Sequence, residues 1–208
     1  QLEHMPAPGE TLAAKDYSVN LGGKGFNISV ALHRAGARVR HIGAVQANDG
    51  LVQNLLTDFA IDQSAITPVE TATGHAIIYV DSGAENQIVI YPGANAAITE
   101  EQVDHALADA QPGDWLVLQN ETNANKIGLK TARARGMKVA LVAAPFDGTL
   151  PALIEQVDLV SLNETELAAF ELAIGAEFHS RPEISFLVTY GSNGAEFVGN
   201  GRSTRVAA

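Results

Sequence analysis

The chain of 208 residues contains no cysteine. That absence excludes a disulfide scaffold, a zinc–thiolate site and a cysteine nucleophile together. Basic residues are scarce: 13 Lys and Arg stand against 24 Asp and Glu, for a net charge of −11. A field of that sign repels nucleic-acid backbones, and no basic stripe offsets it. Long apolar runs are missing too. A run such as Val139 to Phe146 stops well short of the roughly 18 residues that span a bilayer, so no membrane span is expected. The six histidines (His4, His33, His41, His75, His105 and His179) show no metal-ligand spacing. No charged-then-apolar leader follows Gln1, so a soluble cytoplasmic protein is the expectation. The lack of a starting Met suggests that residues 1–208 belong to a longer product. What is present is ordinary for a globular chain able to bury a core: 46% hydrophobic and 18% charged residues.

The second half has a clear rhythm. Apolar runs at Trp115–Gln119, Lys138–Ala144, Asp158–Leu162 and Ser185–Tyr190 read as strands. Helical stretches at Asn125–Arg135, Leu150–Gln156 and Glu164–Ala173 separate them, and Gly136 is placed to end the first. Such alternation predicts βαβ units and a parallel sheet buried on both faces. The first half mixes two patterns. Gly25–Ala35 and Asp49–Ala60 read as helices flanking a strand at His41–Val45, and Thr99–Ala110 as a helix opened by a Thr99–Gln102 capping box. Gly74–Asp81 and Gln87–Gly93 instead look like paired strands across a turn at Ser82–Asn86. Thr11–Leu21 suits a third strand, so a small antiparallel sheet is expected beside the α/β body.

In open parallel sheets, ligands bind beyond the carboxyl ends of the strands. Polar segments follow three of these predicted strands: Asn120-Glu121-Thr122, Asn163-Glu164-Thr165-Glu166 and Gly191-Ser192-Asn193-Gly194. The most unusual segment is Leu21-Gly22-Gly23-Lys24-Gly25-Phe26-Asn27. Its glycines let backbone N–H groups approach a ligand at a helix N-terminus. It is not a P-loop, because Gly25 rather than Ser or Thr follows Lys24. Two readings stand side by side: a tight strand-to-helix turn, or a loop that binds a polyhydroxyl ligand through Asn27, Lys24 and backbone amides. Likewise, Asn163 and Glu166 have the spacing of an N-cap and its capping-box partner. Glu121 also reads as a solvated loop carboxylate, and Gly191–Gly194 as a hairpin turn into Glu196–Val198.

The segment Gly22-Gly23-Lys24-Gly25-Phe26-Asn27-Ile28-Ser29, followed by Ala35-Gly36-Ala37, resembles the first signature of the ribokinase (PfkB-type) carbohydrate kinases. Pro8-Gly9-Glu10-Thr11, Tyr91-Pro92-Gly93-Ala94-Asn95-Ala96, Gln119-Asn120-Glu121, Leu162-Asn163-Glu164-Thr165-Glu166 and Val188-Thr189-Tyr190-Gly191-Ser192-Asn193-Gly194 follow that family's order. The resemblance implies an α/β fold, a parallel sheet flanked by helices with a small antiparallel β lid. Residues 1–208 would be a partial ribokinase-like domain, with lid segments at about 10–21 and 74–93. It implies ATP-dependent, Mg²⁺-assisted phosphorylation of a ribose- or fructose-like hydroxyl. A nucleoside kinase of the same fold, or a non-catalytic sugar-binding protein, are the alternatives. By match, Gly22, Gly23, Lys24, Asn27 and Glu121 would bind the sugar. Asn163, Thr189, Gly191, Ser192 and Gly194 would hold the nucleotide, and Glu166 would face hydrated Mg²⁺. A homodimer paired through the lid is expected from its exposed edges.

Departures from the family pattern are local. Gln46 stands where the first signature ends in glycine, and Val142-Ala143-Ala144-Pro145 replaces Asn-Pro-x-Pro. Between Ala173 and Ser185 the chain is shorter than usual, yet Glu164–Ala173 still makes a legal crossover. The family's Gly-Ala-Gly-Asp motif, which supplies the catalytic base, and its first strand are not found within residues 1–208.

Overall fold

The computed structural model describes residues 1–175 and 177–208, and the backbone alone of His179, whose side chain lies outside the described residues. These residues divide into two compact units, Gln1–Ala97 and Ile98–Ala208.

In the N-terminal unit, helix α1 (Lys24–Arg34) buries Phe26 against Leu56, Ile61 and Phe59. The Phe26 ring meets Phe59 edge-on at 5.2 Å and His41 at 6.0 Å. Strand β1 (Gly43–Gln46), helix α2 (Gly50–Asp58) and strand β2 (Ile66–Val69) form a βαβ unit whose strands pair in parallel, Gly43 opposite Ile66. Asp49 caps α2 by accepting the Val52 N–H at 3.2 Å. The sequence reading missed β2, which is only 4 residues long and carries Pro68. Strands β3 (His75–Val80) and β4 (Asn86–Tyr91) make the expected antiparallel ribbon, Ile78 opposite Ile88. At its tip, one Asp81 carboxylate oxygen accepts the Gly83 and Glu85 N–H groups.

The third lid strand expected at Thr11–Leu21 is not formed. A strand needs a ladder partner, and the backbone here turns instead toward the first residue. Lys15 N–H donates to Gln1 O, and the Gln1 amino group donates to Asp16 O. Tyr17 is 83% exposed, so no burial rewards an extended segment there. The ribbon therefore has two strands, not three.

In the C-terminal unit, helix α3 (Glu100–Ala106) opens with the expected capping box: Gln102 N–H donates to Thr99 Oγ1, and Thr99 N–H donates to Gln102 Oε1. Strands β5 (Trp115–Gln119), β6 (Lys138–Val142), β7 (Leu159–Asn163) and β8 (Ser185–Thr189) pair in parallel. Strands β9 (Ala195–Gly199) and β10 (Arg202–Val206) add an antiparallel edge, for the order β10-β9-β8-β7-β6-β5. Helices α4 (Asn125–Ala134), α5 (Leu150–Ile154) and α6 (Glu164–Ile174) supply the crossovers. The crossovers step in one direction along the sheet, so their common right-handedness carries the helices to one face. Val160, Leu162, Phe186 and Val188 point to that face and are buried with Phe170 of α6. The expectation of burial on both faces is corrected for β7 and β8. Alternate residues Leu159, Ser161 and Leu187 are only half-buried, because among the described residues no crossover helix serves that side. Among the described residues no helix is long and apolar enough to cross a membrane.

Candidate functional site

The glycine loop belongs to the N-terminal unit. Gly23 is the N-cap of α1 at φ 89°, a conformation that a side chain would strain. No side chain caps this helix, and its first turn carries no acidic residue. A helix start of that kind leaves N–H groups and a positive dipole end for an outside acceptor. Gly22 has open space where a Cβ would sit. Lys24 is the first residue of α1, and Asn27 follows in the same turn with its N–H bonded to Gly23 O at 3.0 Å. The helix thus gathers Gly22, Gly23, Lys24 and Asn27 locally. Of these four, Asn27 also lines a cavity of about 260 Å³ with Leu21, Phe26, Val30, Arg34 and Phe59.

The other candidates lie in the C-terminal unit, at the carboxyl ends of its parallel strands. The β7–β8 register sets Asn163 directly opposite Thr189. Both side chains are exposed. The Thr189 hydroxyl donates to Leu162 O at 3.4 Å. Asn163 caps α6: its Oδ1 accepts the Glu166 N–H at 2.9 Å, and Glu166 Oε2 accepts the Asn163 N–H at 2.9 Å. The capping-box reading of this pair therefore holds. It commits Glu166 Oε2 to the cap. Beyond Thr189, Gly191–Asn193 forms a 3-10 turn, with Gly191 at φ 55° and Gly194 at φ 91°. Tyr190 N–H donates to Gly194 O at 2.8 Å and closes the loop into the β8–β9 hairpin. Both readings of this segment, hairpin turn and glycine loop, describe the same backbone. Glu121 follows β5 on the same rim, half-buried.

A rim contact that the sequence reading missed joins the loops after β5 and β6. Asn120 Nδ2 donates to Pro145 O at 2.9 Å and to Asp147 Oδ2 at 2.8 Å. Asp147 Oδ1 accepts the Thr149 N–H and hydroxyl. These bonds, Thr149 first and then Asn120, hold the Asp147 carboxyl below its usual range. The local signal was the Asp-x-Thr spacing of Asp147 and Thr149; the partner lies 27 residues away in sequence. Among the described residues no group of three or more His, Asp or Glu side chains is arranged to hold a metal ion. Glu166, like Glu121 and Asp147, puts one carboxylate at the strand ends outside any such group, which suits a cation that keeps most of its water.

Comparisons with known proteins bear on this geometry. The family model for pfkB family carbohydrate kinases matches residues 1–208. The ribokinase of Haemophilus influenzae is 32% identical over 216 residues, covering 96% of this chain and 70% of the relative. The crystal structure of ribokinase from Thermotoga maritima has a TM-score of 0.84 at 28% identity, over 99% of this chain and 72% of the other. An Arabidopsis thaliana ribokinase complexed with ribose and ATP shares the fold, with a TM-score of 0.78 at 23% identity over 99% of this chain and 72% of the other.

Proposed function

Because the chain belongs to the pfkB family of carbohydrate kinases, we propose that it serves transfer of the γ-phosphoryl group of ATP to a hydroxyl of a ribose- or fructose-like sugar. The observation that carries this reading is the β7–β8 register. It sets Asn163 beside Thr189 at the strand ends, with the Gly191–Gly194 turn immediately beyond. Glycine amides after a strand form a nest suited to phosphate oxygens, so Thr189, Gly191, Ser192 and Gly194 are assigned to the nucleotide. Gly22, Gly23, Lys24 and Asn27 are assigned to the sugar, whose hydroxyls match amide and ammonium partners.

Phosphoryl transfer asks for positioning and charge neutralisation more than for covalent steps. Mg²⁺, when bound, would offset charge on the phosphates. Glu166 is the residue assigned to hold it, through water, because it lies in the first turn of the helix that follows β7 and its capping bond engages one carboxylate oxygen. No residue within 1–208 is assigned the role of base. The β3–β4 ribbon is assigned to the lid that excludes water from the sugar. Its Ile77, Ile78, Ile88, Val89 and Ile90 are each 48% exposed or more, which supports a homodimer paired along the ribbon. Work in the cytoplasm, where ATP is plentiful, fits the same reading.

The test is a panel of sugars and nucleosides, scored by ADP release from the product of the uninterrupted coding sequence. Ribose- or fructose-like sugars are expected to drive release. Release with nucleosides alone would make it a nucleoside kinase, and sugar binding without release a non-catalytic binder. Asn27→Ala is expected to weaken sugar binding about tenfold, on the order of one hydrogen bond, and to leave nucleotide binding unchanged. Equal loss of both would refute the assignment.

A further inference from the structure

We infer that Thr73 is a positioning residue, which sets the stance of the β3–β4 ribbon by latching its base to the end of β1 and the start of α2. Thr73 lies two residues before β3. Its hydroxyl donates to Asp49 Oδ2 at 2.7 Å and accepts the Gln46 N–H at 3.0 Å. The other Asp49 oxygen is the cap of α2. One hydroxyl thus uses its proton on α2 and a lone pair on β1.

The two legs of the ribbon meet at the same level. Ala94 N–H donates to Ala72 O at 2.9 Å. A Cβ on Gly74 would lie 2.4 Å from Pro92 O, and one on Gly93 would lie 2.3 Å from Ala72 O. Backbone-to-backbone approach of that kind forms a stem with no room for a side chain. Beyond it, among the described residues, β3 and β4 pair only with each other, and most of their side chains are exposed. At the far end, the ribbon is tied to the first residues by Leu2 N–H on Val80 O and the Ser82 hydroxyl on Glu3 O. Thr73 is therefore a side chain that refers the stem to the β1–α2 framework, beside the packing of Gly93–Ala96 on β1. A lid needs a defined stance to meet its ligand, and the Thr73–Asp49 bond sets it. The inference rests on the lid reading given above.

Thr73→Val keeps the shape and removes both hydrogen bonds; Thr73→Ser keeps the hydroxyl. Amide hydrogen exchange, which needs no ligand, is expected to quicken about tenfold over residues 75–91 in Thr73→Val, with α2 unchanged. Thr73→Ser is expected to restore protection. By calorimetry, ribose affinity is expected to fall in Thr73→Val while ATP affinity holds. Thr73→Ala gives the same contrast should the valine variant not fold. Unchanged exchange over residues 75–91, or loosening of α2 and ribbon together, would overturn the inference. Wild-type chain that binds no ribose would count against the sugar reading instead, and the exchange result alone would then judge the latch.

Discussion

Gly191 and Gly194 stand three residues apart in one loop, both at positive φ, yet replacing each by alanine is expected to have unequal consequences. Gly191 sits at φ 55° with nothing near the position of a Cβ. Alanine there meets only the left-handed backbone cost, about 1 kcal/mol. Gly194 sits at φ 91° and ψ −145°, a region essentially closed to other residues. Its Cβ would lie 1.9 Å from Val206 O and 2.9 Å from Ala207 Cα. Those atoms are backbone of the β10 end, where Ala195 pairs with Val206. They cannot rotate away, so the end of the ladder must open. Backbone strain of about 1 to 3 kcal/mol and an orphaned ladder group at about 1 to 3 kcal/mol sum to roughly 4 kcal/mol. The chain has a single tryptophan, Trp115, on β5 of the same sheet. Its fluorescence reports urea unfolding of this unit. With a slope of about 2 kcal/mol per molar urea, the midpoint should fall by about 2 M for Gly194→Ala and about 0.5 M for Gly191→Ala. Equal midpoints would refute the steric reasoning, because the two sites would then differ in nothing that matters.

Two further outcomes are expected. Phe170 is fully buried, 5.7 Å from the Phe186 ring and 6.4 Å from Phe146; Phe170→Ala should cost about 3 to 5 kcal/mol in the same urea titration, as a cavity no neighbour fills. His41 lies beneath α1, bonded to the Ser29 hydroxyl at 2.9 Å, and burial lowers its pKa from 6.5. The unfolded chain therefore binds a proton more readily than the folded one. His41's contribution to stability is complete above pH 6.5 and falls away as pH drops from there through the lowered folded value. Melting temperatures followed by circular dichroism from pH 7.5 to 5 should show this slope, and His41→Gln should flatten it; an equal slope in the variant would exclude His41 as its source.

What the amino-acid order determined by itself is whatever depends on near neighbours. The apolar run Trp115–Gln119 is the strand β5 residue for residue, and the helix begun at Glu164 ends one residue beyond its expected end. The Thr99–Gln102 and Asn163–Glu166 boxes form because both partners lie within one turn. The glycine loop opens a helix as expected, since Gly23 needs only its own backbone freedom. The ordered motifs from Gly22 to Gly194 also sufficed to mark the family, since each is a short local pattern.

Tertiary structure decided what depends on distant partners. Thr11–Leu21 has strand-like composition but found no ladder, whereas the polar Arg202–Val206 became β10 because β9 lay alongside. Asn120 meets Asp147 across 27 residues, and Thr73 meets Asp49 across 24. The pairing of Asn163 with Thr189 is a register, and a register exists only once two strands have met. The physical reason is one of range: propensities, caps and turns are free energies of a few adjacent residues, while pairing and burial must first repay the entropy of closing a long loop. Which segments repay it is settled only when the whole sheet assembles.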